Sequence, residues 1–110
     1  MMEVSDRDRQ IILSILNYID GISRTHINFK NEKEVFLENT DYQFSIAFAI
    51  LQIGELVSSL EAPIKNKLKI KGLRNRIVHG YGSIDKSFLW DISHNSIKEL
   101  RNELESLGNI

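Results

Sequence analysis

Thr40 to Leu60, TDYQFSIAFAILQIGELVSSL, is the stretch that decides the fold. It contains no proline, and its apolar residues recur at helical spacing along two lines. Phe44, Ala47, Phe48 and Leu51 form one line; Ile46, Ile50, Ile53, Val57 and Leu60 form the other. Thr40 followed three residues later by Gln43 reads as a capping box that opens the helix. A helix that is apolar on two faces needs two partners. One is the rest of its own chain; the other is either a further helix of a monomeric bundle or a second copy of the chain. Glu55 interrupts this apolar helix. It is either a buried partner for an arginine or a residue on an exposed edge.

Outward from this helix the pattern stays helical. Ser5 or Asp6 caps a first helix over about Asp6 to Thr25, with Ile12, Ile15, Ile19 and Ile22 on one face and Ile11, Leu16 and Tyr18 beside them. Lys33 to Leu37 offers one or two further turns. Pro63 suits the first turn of a short helix to Leu68. A helix over Ile70 to Val78 should stop near Gly80. Phe88 to Ile92 reads as another short helix. Ser96 and Glu99 form a second capping box ahead of Ile97, Leu100, Leu104 and Leu107. His26 and His94 lie in polar, loop-like contexts and are expected to be exposed, and Trp90 and Phe88 are expected to pack rather than to stack bases. The expected architecture is an all-α bundle of about five helices, with residues 1–110 as a single domain.

Composition narrows the class. Of 110 residues, 42% are hydrophobic and 26% charged, as in ordinary globular proteins. One proline and six glycines suit long helices better than a turn-rich sandwich. With no cysteine there is neither a disulfide nor a thiolate metal site. Met1 to Asp6 lacks the basic start and apolar core of a signal peptide, and no apolar run reaches membrane-spanning length. A cytoplasmic protein without membrane contact is expected. The other histidines and acids show no convincing metal-ligand spacing, so neither metal nor cofactor is expected.

Net charge is −1, which gives no reason to expect bulk nucleic-acid binding. Its distribution does. Between Ala62 and Ile84 the charged residues are Lys65, Lys67, Lys69, Lys71, Arg74 and Arg76, with no acid. The rest of the chain holds 8 of the 14 basic residues and all 15 acidic ones, a balance of −7. A basic field on an acidic body steers a phosphate-bearing ligand to one place, and the four lysines are the candidate RNA contacts. The alternative is a solvated lysine-rich loop.

At the end of this run stands Arg74-Asn75-Arg76-Ile77-Val78-His79-Gly80-Tyr81. Arginine grips phosphate as a planar fork and keeps its proton. Histidine takes or gives a proton near neutral pH. RNA cleavage needs both: a base for the ribose 2′-hydroxyl, an acid for the leaving 5′-oxygen, and positive charge where the phosphoryl oxygens become more negative. Arg74 is the candidate for the phosphate grip and His79 for the base or acid. Asn75 and Arg76, four and three residues before His79, are placed to support it. On a regular helix five residues turn the chain by about 500°, which leaves Arg74 and His79 about 140° apart. The long arginine side chain on a helix that ends at His79, or a second subunit, would remove the difficulty. In the bland reading His79 caps helix carbonyls, and Arg74 and Arg76 pair with Glu55 or Glu61.

Arg74-x4-His79-x-Tyr81 resembles the motif of the HEPN superfamily, and of its HepT toxins in particular. Ile53-Gly54-Glu55, Gly72-Leu73-Arg74-Asn75, His79-Gly80-Tyr81, Asp85 and Trp90 follow in the order seen in that family. The resemblance implies a homodimeric, metal-independent endoribonuclease with Arg74 and His79 as its catalytic pair and Asn75 as the adjoining polar residue. It further implies the toxin of a type VII toxin–antitoxin system, whose MntA-like nucleotidyltransferase antitoxin transfers AMP to Tyr81. The alternative is a non-catalytic HEPN subunit that only accompanies a nucleotidyltransferase. One departure stands out: Ile64 to Leu68 lacks the tryptophan that members often carry before the arginine segment.

Overall fold

The computed structural model describes residues 4–110, so the reading that Met1 to Asp6 is not a signal peptide falls partly outside the described residues. Among them are six α-helices and one 3-10 turn: α1 Asp6–Asn28, α2 Lys33–Glu38, α3 Thr40–Ser59, α4 Lys67–Gly80, the turn Tyr81–Ser83, α5 Lys86–His94 and α6 Ser96–Gly108. The protein is all-α, as the periodicity predicts.

Helix α3 is the centre. It packs against α1 on one side and α4 on another, while α5 and α6 pair and close over α1. Its inner line, Ile46, Ile50, Ile53 and Val57, is fully buried, together with Ile12 and Ile15 of α1, Ile70 of α4, and Leu100 and Leu104 of α6. Burying one such side chain stabilises the fold by about 1.5–3 kcal/mol, so these aliphatics dominate the core. Its outer line does not close: Phe44 is 53% and Phe48 57% exposed.

Three local expectations are corrected. Asn39, not Thr40, caps α3: it holds an extended conformation, and its side-chain oxygen accepts from Tyr42 N at 2.9 Å. Gln43 is therefore free to turn inward, where its amide donates to the carbonyls of Phe36 and Leu37 that end α2. The box at Ser96 does not form either. Asn95 is in a right-handed helical conformation and makes no capping bond, because α5 runs almost directly into α6; Ser96 is buried in the helix. The short helix expected at Pro63 is a loop, and α4 begins at Lys67. Carboxylates from other helices hold that loop. Asp8 of α1 accepts from Glu61 N and Ala62 N at 3.1 and 2.8 Å, and Glu103 of α6 accepts from the backbone of Lys65 and Asn66. These N–H groups find partners across the fold, so no helix is needed to satisfy them. The anchored loop sets the start of α4 and with it the position of the arginine–histidine segment.

Candidate active site

Helix α4 carries Ile70, Leu73 and Ile77 inward, which turns the basic run and the motif outward. Its contact with α3 is close at one point. A Cβ added at Gly54 would lie 2.7 Å from Arg74 Cγ, so only glycine lets the arginine stem lie against α3 there. One residue on, Glu55 forms an ion pair with Arg74 through Nη2. The same guanidinium donates from Nη1 to Asn75 Oδ1 at 2.9 Å. Arg74 is thus held by its stem and at two of its nitrogens, with about a third of its side chain (32%) still accessible. Sequence reading left Glu55 open between arginine partner and exposed edge. It is both: paired with Arg74, and 55% exposed.

His79 lies in the last turn of α4 and is exposed. The helix does not end there but stays α-helical through Gly80, so the expected relief of the 140° offset does not come from helix termination. Lys71, Asn75 and His79 follow at four-residue spacing and share one stripe of the helix. The bond from Arg74 to Asn75 draws the guanidinium toward that stripe. Tyr81 opens the 3-10 turn by its backbone, and its side chain lies outside the described part of the structure.

The other basic residues divide. Arg76 lies 4.3 Å over the Phe88 ring and so ties α4 to α5. Lys67 donates to the Leu60 carbonyl at 2.9 Å, and Lys69 lies 3.8 Å from Glu99. Lys65 and Lys71 are exposed. Of the two acids weighed as arginine partners, Glu61 pairs instead with Arg7 at 3.8 Å. Beside the motif helix, Phe44, Ala47, Phe48, Leu51, Ile77 and Val78 line an apolar cleft of about 420 Å³.

Two histidines expected at the surface are not there. His26 is 6% exposed because α1 continues past Thr25 and places it one turn after Ile22, on the buried face. That i+4 relation to Ile22 is the sequence signal that identifies it. His26 Nδ1 meets the Tyr42 hydroxyl, and Nε2 lies 3.0 Å from Ser93 Oγ. Ser93 donates its one proton to the Trp90 carbonyl at 2.7 Å, so His26 Nε2 donates to Ser93 and Nδ1 accepts from Tyr42. This is the neutral tautomer. Burial first, and the neighbouring His94 second, push the His26 pKa down to about 4. Burial pushes the Tyr42 hydroxyl up to about 12, which keeps its donating proton in place. His94 stacks on His26 at 4.1 Å, half-buried, with Nδ1 donating to the Trp90 carbonyl at 2.9 Å and Nε2 2.7 Å from Asn31 Oδ1. Phe36 and Trp90 complete this aromatic cluster.

Among the described residues no group of three or more His, Cys, Asp or Glu is arranged to hold a metal ion, and no helix is long and apolar enough to cross a membrane.

A family model described as ribonuclease HepT-like matches residues 15–107. Two proteins of Methanocaldococcus jannaschii are similar to this chain over most of their length. The one named "Putative RNase MJ1216" is 28% identical over 107 residues, which cover 90% of this chain and 85% of that protein. The one named "Putative RNase MJ0125" is 25% identical over 107 residues, covering 90% and 89%. No solved structure gives a significant match to the chain. The family match runs from the middle of α1 almost to the end of α6 and includes Gly54-Glu55, Arg74-Asn75 and His79-Gly80-Tyr81. The chain belongs to the HepT-like family.

Proposed function

We propose that the protein is a metal-independent RNA endonuclease in which Arg74 holds the scissile phosphate and His79 moves the proton. The observation that carries this reading is the preset guanidinium of Arg74 on the helix that also presents an exposed His79 at the end of a basic run. Its remaining N–H groups are available to phosphoryl oxygens. A ribose 2′-hydroxyl deprotonated at His79, or a leaving 5′-oxygen protonated there, gives a 2′,3′-cyclic phosphate; DNA lacks the 2′-hydroxyl and is spared. Asn75 supports the arginine, and Lys65 and Lys71 extend the phosphate track. Lys67, Lys69 and Arg76 have intramolecular partners and are left out of that track.

The active form is a homodimer. On a regular helix the five residues from Arg74 to His79 leave them about 140° apart and about 7.5 Å along the axis, and a second copy of the motif facing the first would complete the site. The apolar cleft of Phe48, Leu51 and Val78 adjoins the motif and suits a second copy of the chain. Two such faces bring two motifs together, and a standard interface buries about 1,200–2,000 Å².

In this reading the activity is that of a toxin, paired with an MntA-like nucleotidyltransferase antitoxin. The Tyr81 hydroxyl attacks the α-phosphorus of ATP and releases pyrophosphate, and the resulting AMP phosphodiester competes with RNA for Arg74. Tyr81→Phe keeps the ribonuclease active and escapes this control. Mass spectrometry after co-expression with the antitoxin should show AMP on Tyr81; an unmodified tyrosine in a neutralised toxin contradicts it.

The second reading, a non-catalytic subunit of a nucleotidyltransferase complex, is favoured by one observation: Glu55 already occupies part of the Arg74 guanidinium. Incubation of the pure protein with RNA in EDTA separates the two. Cleavage supports the nuclease, and intact RNA supports the binding subunit.

A further inference from the structure

We infer that Glu55 is a positioning residue for Arg74, with Gly54 as the seat on which it acts; this rests on the reading of Arg74 as the phosphate-binding group. Three contacts converge on one side chain. Gly54 admits the aliphatic stem of Arg74, since a Cβ there would lie 2.7 Å from Cγ. Glu55 takes Nη2, and Asn75 Oδ1 takes Nη1 at 2.9 Å. A guanidinium has five N–H donors in a fixed plane. Two are engaged here, and the other three are turned by that engagement into a fixed orientation.

The pair is not there mainly to stabilise the fold. Glu55 is 55% exposed and Arg74 32%, and an ion pair at such a site contributes little to stability. Nor does Glu55 close a gap in the core, since it lies on the edge of α3 outside the Ile46–Ile50–Ile53 line. Its consequence is angular. A free arginine samples many rotamers, whereas this one is fixed at the stem by α3 and at the head by a carboxylate from the same turn of α3. A misplacement of about 1 Å at a reacting centre costs about 10²-fold in rate. The charge on the phosphoryl oxygens builds in the transition state, so a misaligned fork lowers kcat more than it raises KM.

The test is steady-state RNA cleavage by wild type, Glu55→Ala and Glu55→Gln, with the thermal midpoint of each. Glu55→Ala should lower kcat about 10- to 100-fold, with KM changed less than about threefold and the midpoint nearly unmoved. Glu55→Gln keeps an oxygen acceptor for Nη2 and should recover most of the loss. Undiminished kcat in Glu55→Ala overturns the inference. So does an increase, which would make Glu55 a competitor of the RNA phosphate. A Gln variant as slow as the Ala variant also overturns it, because the lost charge and not the orientation would then be the cause. If wild type itself leaves RNA intact, the nuclease reading fails and the inference falls with it. If wild type cleaves, the Glu55 variants judge the inference alone.

Discussion

His26 and His79 are the same side chain in opposite surroundings. His26 is enclosed by Tyr42, Ser93, Trp90 and His94, both of its ring nitrogens are hydrogen-bonded, and burial keeps it neutral down to about pH 4. His79 stands exposed at the end of α4, beside Asn75 and close in sequence to a guanidinium that other residues hold still. The first spends its hydrogen bonds on the fold. The second leaves its ring exposed. A histidine is suited to proton transfer when its ring nitrogens are uncommitted, and a buried, fully bonded one serves the core.

His79→Ala and Arg74→Ala should each lower RNA cleavage by about 10²–10⁴-fold, with stability changed by less than about 0.5 kcal/mol. His26→Ala should do the reverse: a loss of about 2–4 kcal/mol from the cavity and the stranded Tyr42 hydroxyl, with the remaining folded protein active. Urea unfolding and cleavage rates on the same preparations check both. A destabilised His79→Ala, or a stable and inactive His26→Ala, contradicts the division.

The contrast extends along α3, where Tyr42 faces inward and Phe48 outward. Phe48→Glu places a carboxylate on the outer face without touching the core. Light scattering should then give the mass of one chain in place of two, and cleavage should be lost with the composite site. A variant that stays dimeric, or a monomer that still cleaves, contradicts the shared active site.

Acid should separate the two histidines further. Above about pH 6.5 His26 is neutral whether the chain is folded or not. Between about 6.5 and 4 the unfolded chain takes up a proton that the folded one refuses, so stability falls as pH falls and levels off below about 4. The shift from 6.5 to about 4 corresponds to roughly 3 kcal/mol. Comparing His26→Gln with wild type by urea unfolding across this window should remove that part of the slope. An unchanged slope would mean that other groups carry it.

The helical plan was legible because apolar residues at helical spacing, above all in α1, α3 and α6, report directly on burial. The expected caps at Thr40 and Ser96 and the expected exposure of His26 fail for physical reasons. A capping box is a local preference. At Thr40 the preceding asparagine competes for the same N–H groups, and at Ser96 the incoming helix leaves no extended residue to act as cap. The sequence around His26 reads as polar loop because its partners come from α3 and α5, distant in sequence. At the candidate site, the residue types were legible in Arg74-Asn75-Arg76 and His79. What the sequence does not carry is the approach of α3 to α4 at Gly54, which makes Glu55 a neighbour of Arg74 and leaves Arg76 to Phe88.

The most direct measurement is the product of RNA cleavage by the pure protein in EDTA, with Arg74→Ala and His79→Ala beside it. Wild type should give fragments ending in 2′,3′-cyclic phosphate, undiminished by the chelator, and either variant almost none. Intact RNA with wild type, cleavage that stops in EDTA, or an Arg74→Ala variant that cleaves as fast as wild type would contradict it.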